Sequence, residues 1–103
     1  MKKETVIKLG NIQSHNFIGS RFTGLDIRRD IEKKLLNKDS GVIIDFSGID
    51  MITQAFADEV IGVLIREKGL QFVKEKIHIS EANKDIKAVI NFVANYSIKQ
   101  QNK

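Results

Sequence analysis

The chain reads as a small α/β sandwich in the order βαβαβα. About four strands form a mostly parallel or mixed sheet, and about three main helices cover it. Three observations predict this. Val42, Ile43 and Ile44 run without alternation, and Phe46 follows after one acidic residue; such a run suits a strand covered on both faces, usually in a parallel sheet. Short strand-like runs then alternate with helix-period segments, which is the pattern of parallel strands joined by right-handed crossovers. No Pro interrupts any of these segments.

The elements follow in order. Thr5 to Leu9 has strand character, and Gly10-Asn11 ends it. Ile12 to Ser20 carries little pattern; His15-Asn16 suits a turn, and Phe17-Ile18 suits a short strand or a loop packed on the core. Thr23, with Asp26 three residues on, fits a capping box with Asp in place of Glu. Ile27, Ile31 and Leu35 then recur at helical spacing with Leu36 beside them, a narrow stripe that fits a helix with one wet face. Asn37 to Gly41 closes this helix, Gly41 being suited to the left-handed position past a helix end.

After the run from Val42, Ser47-Gly48 and Asp50 supply turn chemistry. Thr53 is a good N-cap for the next helix. Asp58 and Glu59 lie early in that helix, where the helix dipole favours negative charge. On a wheel, Phe56, Val60, Val63 and Leu64 form one apolar side, widened by Ala57, Ile61 and Ile65. A narrow strip of Ala55, Asp58, Glu59, Gly62 and Arg66 remains for solvent or a partner. Gly62 in mid-helix costs about 1 kcal/mol relative to Ala, which implies a close approach by the domain's own backbone or another chain.

Lys68-Gly69 stops the helix. Leu70 to Lys76 fits either an irregular return or a helical turn, and Ile77-His78-Ile79 alternates as a third main strand. Asn83 caps the last helix, whose Ile86, Val89, Ile90 and Val93 give the cleanest helical period in the chain, flanked by Phe92 and Tyr96.

With 103 residues, one domain spanning 1–103 is expected, residues 1–3 and 99–103 fraying at its ends. A chain of this size buries roughly two-thirds of its unfolded surface, enough to fold without staples. It has no Cys, so there is no disulfide framework, thiolate nucleophile or Cys-ligated metal, and a cytoplasmic location is expected. Met1-Lys2-Lys3 precedes no apolar core of signal-peptide length, and Val60 to Ile65 is far too short to span a membrane.

Seventeen basic against 13 acidic residues give a net charge of +4 and a pI near 9.4. The lysines are interleaved with acids (Lys33-Lys34 after Glu32, Lys74 and Lys76 around Glu75, Lys84 and Lys87 around Asp85), the pattern of a solvated mixed-charge surface rather than a nucleic-acid footprint.

Three groups of residues together carry a resemblance. These are Ser20-Arg21 with Gly24; Val42-Ile-Ile-Asp-Phe-Ser-Gly48; and Ile52-Thr-Gln-Ala-Phe-Ala-Asp-Glu59 with Gly62 and Leu64. From about Thr5 to Tyr96 the chain resembles the STAS-like domain family of unknown function. Its members are small bacterial and phage-borne domains, related in fold to the STAS domains of anti-sigma-factor antagonists and sulphate transporters. The resemblance implies a binding module rather than a catalyst, one that docks a histidine-kinase-type ATPase or similar signalling partner. Some STAS domains carry a regulatory serine at the start of the helix after the central strand. Here that stretch is Thr53-Gln54-Ala55, which leaves Thr53 and Ser47 as the nearby hydroxyls.

Each candidate site has a plainer reading. Thr53 as a phosphoacceptor would face repulsion from Asp50 and Asp58, and a helix cap needs no kinase. Asp58 and Glu59 as a general acid/base pair would point about 100° apart. A structural pair, with Arg21 as the ion-pair partner, fits them better, and no His or Ser pattern completes an active site. His15 and His78 have no companions at metal-ligand spacing, so no metal is expected. Gly10, Gly19 and Gly24 precede no Gly-Lys-Ser/Thr, so no phosphate loop is expected and no cofactor is assigned.

The leading function is therefore a non-catalytic regulatory module. It would dock a protein through Ala55, Asp58, Glu59, Gly62 and Arg66 with the turn from Ser47 to Asp50, while Arg21 and Thr53 play structural or regulatory parts. The alternatives are a basic nucleic-acid-binding regulator and, ranked below it, a nucleotide-binding small enzyme using the carboxyl ends of the strands. Edge strands and an apolar surface near Leu70, Phe72 and Val73 would permit a homodimer.

Overall fold

The computed structural model describes residues 3–12, 16–37 and 39–101. Strand β1 (Lys3–Lys8) runs into a single helical turn, α1 (Leu9–Ile12). A two-residue strand, β2 (Phe17–Ile18), precedes α2 (Arg21–Lys34) and the strand β3 (Ser40–Asp45). A second two-residue strand, β4 (Met51–Ile52), leads into the long helix α3, residues 54–68. The chain ends with α4 (Leu70–Lys76), β5 (Ile77–Ser80) and α5 (Lys84–Gln101).

The α/β class is as the sequence predicts. β1, β3 and β5 form one parallel sheet in the order β1-β3-β5, with Thr5 beside Val42 and Val42 beside Ile77. The remaining strands, β2 and β4, pair only with each other, also in parallel. This strand order settles which face the helices take. Each crossover steps in the same direction across the sheet, so right-handed connections put α2 and α3 on one side. Ile7, Val42, Ile44 and Ile77 are buried on that side with Ile27, Ile31, Phe56, Val60 and Leu64 of the two helices. The opposite face stays open: Glu4, Lys8 and His78 are exposed, Val6 is 48% exposed and Ile43 is half-buried. The β3 run is thus covered on one face and not on both. Its burial alternates even though its hydropathy does not.

Two local expectations are corrected and one left open is settled. The first helix is capped by Ser20, whose hydroxyl accepts from the backbone N–H of Phe22 and Thr23 at 3.0 and 3.4 Å. Thr23 and Gly24 therefore lie inside α2, and Gly24 is there because α2 presses on α3: a Cβ on it would sit 2.7 Å from Glu59 Cβ. Gly41 is a strand residue paired with Glu4, since α2 has already ended through Leu35 and a turn that closes at Ser40. Leu70 to Lys76 is a helix, entered through Gly69 at φ +94°. Its Val73 is buried, and Leu70 and Phe72 pack half-buried on the core.

At the ends, β1 begins at Lys3 and α5 runs through Lys99 to Gln101. Met1, Lys2, His15, Asn102 and Lys103 lie outside the described residues. No helix among the described residues is long and apolar enough to cross a membrane.

Candidate functional site

Helix α3 is the spine of the site, and Thr53 starts it. Its Oγ1 accepts from the N–H of Phe56 at 3.1 Å and donates to the carbonyl of Gly19 at 2.8 Å. The cap hydroxyl thus ties the β2–α2 connection to the start of α3. The helix is α-helical over Gln54–Ala57, widens to a π-turn over Asp58–Gly62, and is α-helical again over Val63–Lys68. The widening shows as the N–H of Val63 donating to the carbonyl of Asp58, five residues back. π-turns are rare, and they gather where a helix must present side chains at an unusual angle.

Here the π-turn begins at the two adjacent carboxylates. Arg21, on the first turn of α2, reaches both: its Nη1 lies 3.1 Å from Asp58 Oδ2 and 2.5 Å from Glu59 Oε2. Each acid also has an arginine of its own. Glu59 takes Arg28 at 3.3 Å, while Arg28 also touches Glu32 at 3.5 Å. Asp58 takes Arg66 through both guanidinium nitrogens, at 2.7 and 3.3 Å. The second of these pairs ends at Ser97 on α5. Its hydroxyl accepts from Arg66 at 2.9 Å and its side chain is fully buried.

The charges respond to one another. Burial pushes the Asp58 carboxyl up, but the hydrogen bonds from Arg66 and then Arg21, with their positive charge, outweigh it and hold the group below the usual carboxylate range. Arg21 is raised by its hydrogen bonds to Glu59 and Asp58, and Arg66 by its bond to Asp58. Arg21 and Arg66 stay charged.

Gly62 lies beneath this arrangement. A Cβ there would run into Asp58 Oδ1 and would come within 2.9 Å of Ser97 Oγ and 3.0 Å of Val93 Cγ1. The close approach expected at Gly62 is therefore made by the protein's own α5, and the residue is buried. The strip read as a free edge of α3 is largely an internal seam. Gly62 is covered, and Ala55, Asp58, Glu59 and Arg66 are half-buried, with side-chain exposures of 21%, 15% and 31% for Asp58, Glu59 and Arg66. Its polar and small residues look like a solvent face on a wheel because paired charges and a glycine seam share that composition.

Beside the seam lies a groove of about 710 Å³ between the start of α3 and α5. Arg21 of α2 and Gln54, Ala55, Asp58 and Arg66 of α3 line one side, and Phe92, Val93, Tyr96 and Gln100 of α5 line the other. Phe92 and Tyr96 are 56% and 54% exposed, one turn apart on α5. Ser47 is elsewhere, exposed in the turn after β3, where its hydroxyl, and then its N–H at 2.8 Å from Asp45 Oδ1, hold the Asp45 carboxyl low. Gly48 completes this turn at φ +81°.

A family model described as a STAS-like domain of unknown function (DUF4325) matches residues 23–87. The chain belongs to that family. Comparison with curated proteins and with solved structures found no match. The matched span of this STAS-like domain runs from inside α2 to the first turn of α5. It includes Asp58, Glu59, Gly62 and Arg66, while Arg21, Phe92 and Tyr96 lie beyond it.

Sequence reasoning missed Arg28, Ser97 and the groove's aromatic rim. Two signals were present. Ser97 extends the Ile86, Ile90, Val93 stripe as a polar residue at a core position, and Phe92 and Tyr96 stand four apart just off that stripe. Among the described residues no cluster of three or more His, Asp or Glu could hold a metal ion.

Proposed function

We propose that this STAS-like domain is a non-catalytic regulatory module that docks a protein partner, a histidine-kinase-type ATPase or a related signalling protein, in the groove between α3 and α5. The observation that carries this is the pair Phe92 and Tyr96, held exposed one turn apart beside Arg21 and facing small or tied side chains. Aromatic and arginine side chains around a concave surface are the residues that dominate protein-binding energy. Ala55 in the lining lets a partner approach the start of α3 closely.

The chemistry supports binding over catalysis. Both carboxylates of the groove region are engaged by arginines, and the hydrogen bonds that hold Asp58 low leave it a poor proton acceptor at neutral pH. Family membership weighs the same way, since STAS-like domains are generally non-catalytic.

The test is titration calorimetry of the purified domain against a purified kinase-type ATPase from the organism that encodes it. Binding that weakens at least about tenfold in Phe92→Ala or Tyr96→Ala is expected, the loss typical of a hot-spot residue. Unchanged affinity in both variants rejects the groove. No binding to any such ATPase rejects the reading.

A further inference from the structure

The sheet ends at β1, and no strand pairs with the outer side of β1 among the described residues. An edge of six residues leaves a row of backbone donors and acceptors open to another strand. The other edge, β5, has only four residues and runs straight into Glu81 at φ +57°.

The exposed side chains of β1 have a pattern that suits one occupant. Glu4, Val6 and Lys8 alternate along the strand and share the open face, while Ile7 is buried on the helical side. Suppose a second copy lies antiparallel to β1 about a two-fold axis perpendicular to the sheet. Directly opposite residues must then share a face, so residue numbers across the pair sum to an even value. With the axis at Val6, Glu4 faces Lys8 of the second copy, Lys8 faces its Glu4, and Val6 faces Val6. Moving the axis by one residue either way sets Glu4 or Lys8 opposite valine and loses both charge pairs.

We propose that two copies of this chain associate through β1 in that register, giving a continuous six-stranded sheet with Val6 at the axis. The two charge pairs select the antiparallel register, and the surface is separate from the groove proposed for the ATPase, so the two readings stand or fall independently. The three-stranded sheet has one open face, and doubling its width is a use for an edge that no strand among the described residues pairs with.

The absence of Cys makes the test clean. Opposite residues in an antiparallel pair have Cα atoms about 4.5–5.5 Å apart, within disulfide range. Mild oxidation of Val6→Cys should give a covalent dimer, whereas Lys8→Cys, far from its own copy in this register, should stay single. Sedimentation equilibrium should show the wild type associating above 11.7 kDa as concentration rises. Lys8→Glu, which sets like charges opposite each other twice, should raise the dimer dissociation constant by about tenfold. Glu4→Lys combined with Lys8→Glu should restore it, an outcome that damage to the strand would not produce. A wild type that stays at 11.7 kDa throughout overturns the proposal, as does equal cross-linking of Val6→Cys and Lys8→Cys.

Discussion

The two flanks of α3 are built from the same parts and do different things. Each has one glycine that brings helices close and one carboxylate that draws in two arginines. On the α2 side the glycine is Gly24 and the acid Glu59, with Arg28 and Arg21; on the α5 side they are Gly62 and Asp58, with Arg66 and Arg21. The α2 side is shut: Glu59 and Arg28 are each only 15% exposed. The α5 side is propped open, because Arg66 stands between the helices and the aromatic rings of α5 turn outward. The same kit makes a wall on one side and a cleft on the other, and what differs is the depth to which the arginine is enclosed.

The contrast can be broken experimentally, beginning where the effect is largest. Gly24→Val places atoms against Glu59 Cβ and the Phe56 carbonyl, neither of which yields easily, and should cost about 3 kcal/mol in urea-melt stability. Glu59→Ala should cost about 2 kcal/mol by the same measurement, since it strips a partner from the enclosed Arg28. Gly62→Ala should cost only about 1 kcal/mol, because the obstructing atoms are side-chain ends and alanine returns some helix propensity. A Gly62 variant less stable than the Gly24 variant would reverse the account of which side is shut.

A fourth test uses pH. The folded pKa of Asp58 lies below its unfolded value, so its contribution to stability is complete above the ordinary carboxylate range, near pH 4, and disappears as pH falls through the lowered folded value. Asp58→Asn should therefore flatten the acid limb of the stability curve and leave its slope near neutrality unchanged. The smallest effect on folding belongs to the groove's rim. Phe92→Ala and Tyr96→Ala should shift stability by no more than about 0.5 kcal/mol, whatever they do to binding.

The architecture was legible wherever local chemistry and tertiary demand agree. Thr53 and Asn83 are good caps on their own, and Asn83 Oδ1 does accept from the N–H of Ile86 at 2.9 Å. The periods of α3 and α5 follow from one-sided burial. Legibility failed where a residue serves a neighbour distant in sequence. Gly24 looks like the lead into a helix until α3 is seen against it. Gly41 looks like a helix stop until β1 is laid beside it. In the site, Arg21 could be matched to the acidic pair from sequence, but the cover over Gly62 could not. That cover comes from Val93 and Ser97, some thirty residues downstream, and no local pattern encodes it.

The widened turn at Asp58–Gly62 has a consequence for how such a chain can vary. It amounts to one surplus residue taken up within the rod. Winding the same residues as regular α-helix, with no surplus taken up, would swing everything after the turn by roughly 100°. The rod would survive and still bury apolar side chains, yet Arg66 would leave Asp58 and the mouth of the cleft would lose its prop. The winding at this point of the chain is thus as much a determinant of recognition as any side chain in it.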